Sequence, residues 1–118
     1  MKTHKDLEVW KNAIDFVTTL YKITHEFPTI ELYGLSSQLR RAAISIPSNI
    51  AEGYSRKGNK ETIHFLYNAL ASNTEIETQL IIAKNLGYIN DSTFNKLEQD
   101  CTKTGKQLVK LIRYLQSK

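Results

Sequence analysis

The sequence predicts an all-α protein, an antiparallel four-helix bundle with up-down-up-down order. Hydrophobic residues recur every three or four positions, which is the period of an amphipathic helix, and no segment alternates as a strand would. Four such segments are joined by short connections, which place consecutive helices side by side in opposite directions. A chain of 118 residues fits one compact domain, so residues 1–118 are expected to form a single bundle.

The first two helices are expected over residues 6–26 and 35–54. Pro28 ends the first helix, because proline cannot continue the hydrogen-bond ladder and restricts the residue before it. Pro47 lies in the middle of the second helix and predicts a bend there. The predicted apolar stripes are Leu7, Trp10, Ile14, Val17, Leu20 and Tyr21 on the first helix, and Leu39, Ala42, Ala43, Ile46, Ile50 and Tyr54 on the second.

The third helix is expected over residues 60–86, with Asn59 as its N-cap and Gly87 at its C-terminal cap. The fourth helix begins near residue 91 and continues almost to the end of the chain. Its apolar side includes Cys101, the only cysteine, which excludes an intrachain disulfide. A cysteine on an apolar face is expected to pack as a small hydrophobe, although a lone thiol can also act as a nucleophile.

The second and third helices carry more apolar surface than one core requires, which usually marks an interface. We therefore expect a homo-oligomer. The alternative is that the third helix is the central helix of a monomer, with scattered apolar side chains on its surface. The predicted interface residues are Ile44, Ala51, Phe65, Ala69 and Ile76.

Three polar residues, Asn73, Thr74 and Glu77, fall within the wide apolar arc of the third helix. They predict a hydrogen-bonded layer that fixes the register of the helices, and a ligand site is the alternative. Glu61 and His64 have the Glu-x-x-His spacing of di-metal bundles, but such a centre needs two of these motifs and two further glutamates. We expect no bound metal.

The remaining sequence features argue against catalysis and against a membrane location. The chain has no phosphate-binding loop, nucleophile elbow or dinucleotide fingerprint, so neither enzyme activity nor a cofactor is expected. No apolar run approaches the length of a membrane span, and the N-terminus leads directly into an amphipathic helix. We therefore expect a cytoplasmic protein.

A basic stripe on the fourth helix is the candidate binding site. At about 100° per residue, its five cations fall within an arc of about 100° opposite the apolar side. One interpretation is a solvated face next to the negative end of the helix dipole. The other is a surface that tracks the phosphates of RNA or DNA. The stripe consists of Lys96, Lys103, Lys106, Lys110 and Arg113.

Several uncommon strings resemble the four-helix-bundle proteins named after intervening sequences in large-subunit ribosomal RNA. The resemblance covers almost the whole chain, and the strings occur in the family's order. They are Asp6-Leu7-Glu8-Val9-Trp10, Gln38-Leu39-Arg40-Arg41-Ala42-Ala43, Ser45-Ile46-Pro47-Ser48-Asn49-Ile50-Ala51-Glu52-Gly53, Phe65-Leu66, Glu75-Ile76-Glu77-Thr78-Gln79-Leu80 and Leu86-Gly87-Tyr88-Ile89.

The resemblance implies an antiparallel bundle that assembles as a ring-like homopentamer. It also implies similarity to accessory proteins of diversity-generating retroelements, which pair with a reverse transcriptase and nucleic acid through a basic surface. The family has no established catalytic residues. The leading hypothesis is therefore a non-catalytic oligomer that binds structured RNA or a partner that handles nucleic acid. The alternative is a self-assembling scaffold or protein-interaction module without a nucleic-acid role.

Overall fold

The computed structural model describes residues 1–118 and contains four long helices and no strand. Short 3₁₀ turns precede α1 and α2, and the molecule measures 46 × 23 × 20 Å. No helix combines the length and the apolar character that a membrane span needs. The all-α prediction is confirmed, and the predicted spans agree within two residues. The helices are α1 (Glu8–His25), α2 (Leu35–Tyr54), α3 (Asn59–Asn85) and α4 (Asp91–Gln116).

Each helix packs against its neighbours in the chain, and α1 also touches α4. The α2–α3 contact is the most extensive, followed by α3–α4, and no helices meet across the diagonal. Between α2 and α3, the Ser45 and Ser72 hydroxyls lie 2.8 Å apart, and Thr62 donates to the Gly53 carbonyl at 2.7 Å. From the first of these contacts to the second, the residue number rises on α2, from 45 to 53, and falls on α3, from 72 to 62. These contacts are consistent with antiparallel neighbours.

Helix α1 buries a face that overlaps only partly with the predicted one, since the predicted residues Leu7, Trp10 and Val17 are half-buried against the core. Its predicted residues Ile14 and Tyr21 are 38% and 40% exposed, so their assignment to the core is wrong, whereas Leu20 is confirmed. Two adjacent apolar stripes run along α1, and the buried one includes the small residue Ala13, which is 3% exposed. Periodicity does not tell which of two such stripes faces inward. The buried residues of α1 are Val9, Ala13, Phe16, Leu20 and Thr24.

Helix α2 buries its predicted stripe and continues without a break through Pro47, which is itself buried. One turn later, the Asn49 amide donates to the Ser45 carbonyl at 2.8 Å and to the Ser45 hydroxyl at 2.9 Å. This side chain supplies a hydrogen bond to the backbone beside the proline. The bend at Pro47 stays a prediction.

The ends of α3 depend on two glycines. Gly58 precedes the helix with a φ of 85°, so the N-cap is Gly58, and Asn59 is the first helical residue rather than the predicted cap. Gly87 follows the helix with a φ of 78°, as predicted for its C-terminal cap. Residues other than glycine rarely adopt this left-handed backbone conformation, so both turns favour glycine.

A hydrogen-bonded carboxylate links the two loops at one end of the bundle. Glu31 accepts hydrogen bonds from the Leu35 backbone N–H at 3.1 Å and from the Tyr88 hydroxyl at 2.8 Å. These two donors hold the pKa of the Glu31 carboxyl below its ordinary value of 4.5. A carboxyl with a lowered folded pKa stabilises the fold above its unfolded pKa, and this contribution is lost as the pH falls through the folded value.

We therefore expect Tyr88→Phe to lower the stability of the protein at neutral pH, and we expect this loss of stability to be smaller in acid. The gap in urea midpoint between the native protein and the variant should narrow between about pH 7 and about pH 2, because Glu31 becomes protonated. Tyr67→Phe is the control, since the exposed Tyr67 hydroxyl makes no hydrogen bond. A gap for Tyr88→Phe that is constant with pH would contradict the expectation.

Candidate nucleic-acid interface

The five residues of the predicted basic stripe are all exposed on α4, but they border two different grooves. Lys96 and Lys103 border the groove between α1 and α4. Lys106, Lys110 and Arg113 line the groove between α3 and α4. Lys96 also lies 3.6 Å from the Asp100 carboxylate, which partly neutralises it. The structure thus brings together three of the five predicted residues.

Basic residues from other segments join these three at one end of the bundle. The Asn59 amide at the start of α3 donates to the Leu115 carbonyl near the end of α4 at 3.4 Å. The 3₁₀ turn before α1 packs against α2. The start of α1, the α2–α3 loop and the end of α4 therefore lie together. Their basic residues are Lys2, Lys5, Lys11, Arg56, Lys57, Lys60, Lys106, Lys110, Arg113 and Lys118.

The charge of the protein is consequently separated along the bundle. If each helix is divided at its midpoint, residues 1–16, 45–72 and 104–118 hold ten basic and five acidic residues, a net charge of +5. We call this part the basic half. The other half holds six basic and seven acidic residues, a net charge of −1. Sequence reasoning found only the α4 part, because the remaining cations lie in distant segments that meet only in the fold.

The last turns of α4 are the most strongly charged part of the basic half. Residues 106–118 include four basic side chains and no acidic side chain. Cations are favourable near the C-terminus of a helix, where unpaired carbonyls carry partial negative charge. The helix therefore tolerates a density of positive charge that remains available to an anionic ligand.

The predicted interface residues are partly wrong. Ala69 and Ile76 have no exposed surface and belong to the core of the bundle, so they cannot contact another protein chain. Ile44 is 41% exposed, and Ala51 and Phe65 are half-buried. The wide apolar arc of α3 is partly explained by its position, since α3 packs against both α2 and α4. Tyr67 and Ile81 of the same arc remain 49% and 48% exposed.

An exposed apolar surface does exist, on a different pair of helices. Tyr21 of α1 and Ile44 of α2 line one groove with Leu32 and Tyr33 of the loop between these helices. Ile14, which lies two turns before Tyr21 on α1, is also exposed. We call these five residues the α1–α2 apolar face. The signal in the sequence was the second apolar stripe of α1, which periodicity assigned to the core.

The polar residues of the core have structural roles. The buried Asn73 amide donates to the Cys101 carbonyl at 2.9 Å and so links α3 to α4, as predicted for this member of the polar layer. Thr74 is exposed and its hydroxyl donates to the Leu70 carbonyl of its own helix at 3.2 Å, so the layer does not extend to it. Burial, together with the negative charge of Glu77, raises the pKa of the Cys101 thiol to about 12. The thiol therefore remains protonated at neutral pH and acts as a packing group, as predicted.

His64 is exposed and packs edge-on against Phe65, with 5.6 Å between the ring centroids. No group of three or more His, Cys, Asp and Glu side chains lies close enough to hold a metal ion. His64 instead belongs to the exposed surface of the basic half, beside Lys60 and Arg56.

The similarity to known proteins extends over most of the chain. A family model described as 23S rRNA-intervening sequence protein matches residues 5–110. A solved structure from Bacteroides thetaiotaomicron, described as a protein with unknown function from the S23 ribosomal protein family, is similar with a TM-score of 0.82. It is 23% identical, and the match covers 89% of this chain and 95% of that chain. No curated protein matches the chain.

Proposed function

Because the chain belongs to the 23S rRNA-intervening sequence protein family, we propose that it is a non-catalytic protein that binds RNA through its basic half. The observation that carries this proposal is the charge separation, +5 in one half of the bundle and −1 in the other. Solubility alone does not require cations from several segments to be collected at one end of the bundle.

The proposed binding is mainly electrostatic. Lysine and arginine side chains that neutralise phosphates release condensed counterions, so the binding constant falls steeply with salt and depends little on nucleotide sequence. The cations come from α4, the α2–α3 loop and the N-terminus, and they form a surface rather than a single row. Structured RNA, which presents phosphates along several directions, fits such a surface better than an extended strand does.

The test is a measurement of RNA affinity across a salt series. Fluorescence anisotropy with a labelled structured RNA is expected to give a log–log plot of affinity against salt with a steep negative slope. A variant with Lys106 and Lys110 of the basic half changed to glutamine should have a shallower slope. Undetectable binding at low salt would overturn the proposal and favour a scaffold without a nucleic-acid role.

We also propose that copies of the chain associate through the α1–α2 apolar face, since exposed apolar patches usually mark contact sites. The resemblance of the sequence implies five copies in a ring, which would multiply weak phosphate contacts into higher avidity. In this arrangement Ile44 lies in the contact between subunits, while the basic half of each copy remains available to RNA.

The assembly proposal predicts that Ile44→Glu shifts the protein to monomers, because a buried charge between subunits would lack a partner. Native mass spectrometry at micromolar concentration measures the shift. Ile82→Glu is the matched control, since Ile82 of α3 is 43% exposed, much like Ile44, but lies outside the α1–α2 apolar face. A monomeric native protein, or equal effects of both substitutions, would contradict this use of the face.

A further inference from the structure

The groove between α3 and α4 has two chemically different walls. Lys106, Lys110 and Arg113 form the α4 wall, while Thr74 and Glu77 line the α3 wall. None of the three ion pairs in the protein joins the two walls, so the Glu77 carboxylate faces three cations without a close partner. A carboxylate held apart from neighbouring cations leaves room for a ligand that contacts both.

The floor of the groove is open at Gly105. A Cβ atom added at this position would have one close neighbour, the amide nitrogen at the end of the Asn73 side chain, at 3.3 Å. The absence of a side chain at Gly105 leaves a depression between the walls. Leu70 and Val109, both half-buried, add apolar surface to it.

Glu77 is unfavourable for a ligand that offers only phosphates, because like charges repel. It becomes favourable if the ligand also offers a hydrogen-bond donor. RNA offers phosphates together with the 2′-hydroxyl, a donor that DNA lacks. The combination of a cationic wall and an acceptor wall matches a ribonucleotide segment better than it matches DNA.

Resting on the proposed RNA binding, we propose that this groove is a ribose-recognition site. Lys106, Lys110 and Arg113 hold phosphates, and the Glu77 carboxylate accepts a hydrogen bond from a 2′-hydroxyl. The site would give an otherwise sequence-insensitive surface a preference for RNA over DNA.

The test compares three ligands of one nucleotide sequence: RNA, DNA and 2′-O-methyl RNA, which keeps the ribose oxygen but loses its proton. The native protein is expected to bind RNA about tenfold more tightly than either of the others, as a hydrogen bond to a charged group allows. Glu77→Leu should lower RNA affinity and abolish the preference. Glu77→Gln, which keeps an acceptor oxygen, should retain part of the preference.

Glu98→Leu is the matched control, because Glu98 is exposed on α4 away from the groove. Both leucine variants remove one negative charge, so charge alone would strengthen binding of all three ligands equally. If Glu77→Leu behaves like Glu98→Leu, or if the native protein binds the three ligands equally, the ribose site is refuted while salt-dependent binding still supports the proposed function. If no ligand binds at low salt, both proposals fail.

Discussion

Replacement of Lys106, Lys110 and Arg113 by glutamine is expected to weaken RNA binding about 100-fold at about 0.1 M salt. Each phosphate contact contributes about −0.7 to the log–log salt slope on a single strand and about −0.9 on a duplex, so loss of three contacts should reduce the steepness by about 2 to 3. These three side chains line one groove, and no acidic side chain follows them in the chain. Anisotropy titrations at several salt concentrations measure both quantities.

The matched control removes the same charge from the other half of the bundle. Changing Lys22, Lys84 and Lys96 to glutamine lowers the net charge from +4 to +1, which is the same change as in the first triple variant. Lys84 and Lys96 make exposed ion pairs at 3.8 and 3.6 Å, which contribute little to stability. Lys84 also lies 4.6 Å from the centre of the Phe94 ring, so the unfolding of this variant must be checked beside its affinity. If the two triple variants lose affinity to the same extent, net charge rather than the basic half determines binding.

Replacement of two helical glycines, Gly53 and Gly105, by alanine is expected to change the free energy of unfolding in opposite directions. Alanine favours a helix over glycine by about 1 kcal/mol at either position. At Gly53, however, a Cβ atom would lie 2.9 Å from the Phe65 Cβ and 3.1 Å from the Thr62 carbonyl oxygen. Neither atom is at the flexible end of a side chain, so α2 and α3 must separate.

We therefore expect Gly53→Ala to lower the free energy of unfolding by about 1–2 kcal/mol, because the cost of overpacking exceeds the gain in helix propensity. Gly105→Ala is expected to raise it by about 0.5 kcal/mol, since the only close atom there is the end of the Asn73 side chain. Urea unfolding monitored by circular dichroism measures both. A stabilised Gly53→Ala variant would show that α2 and α3 are less tightly packed than described.

The sequence predicted the helices well because their periodicity and caps are local properties. It predicted the core face of α1 poorly, since Ile14 and Tyr21 belong to a second apolar stripe that only packing against α2 and α4 distinguishes from the first. Ala69 and Ile76 were assigned to a subunit interface for a related reason. A helix with two extensive neighbours needs a wide apolar arc, and the sequence does not give the number of neighbours.

The basic site was predicted only in part for a different physical reason. The α4 cations follow a helical spacing that can be read along the chain, whereas Arg56, Lys57 and Lys60 lie in another segment. Their proximity to α4 depends on the contact between Asn59 and Leu115, which joins residues far apart in the sequence. Charge surfaces assembled from several segments require the fold before they can be recognised.

The separation of charge along the bundle also has a kinetic consequence. A molecule with one positive end and one slightly negative end experiences a torque in the field of a polyanion, so it turns its basic half toward RNA before contact. Such steering raises association rates by about 10- to 1000-fold and is lost as salt screens the field. Added salt should therefore slow the arrival of the protein at RNA, and a molecule with the same net charge spread evenly over its surface would arrive in random orientations.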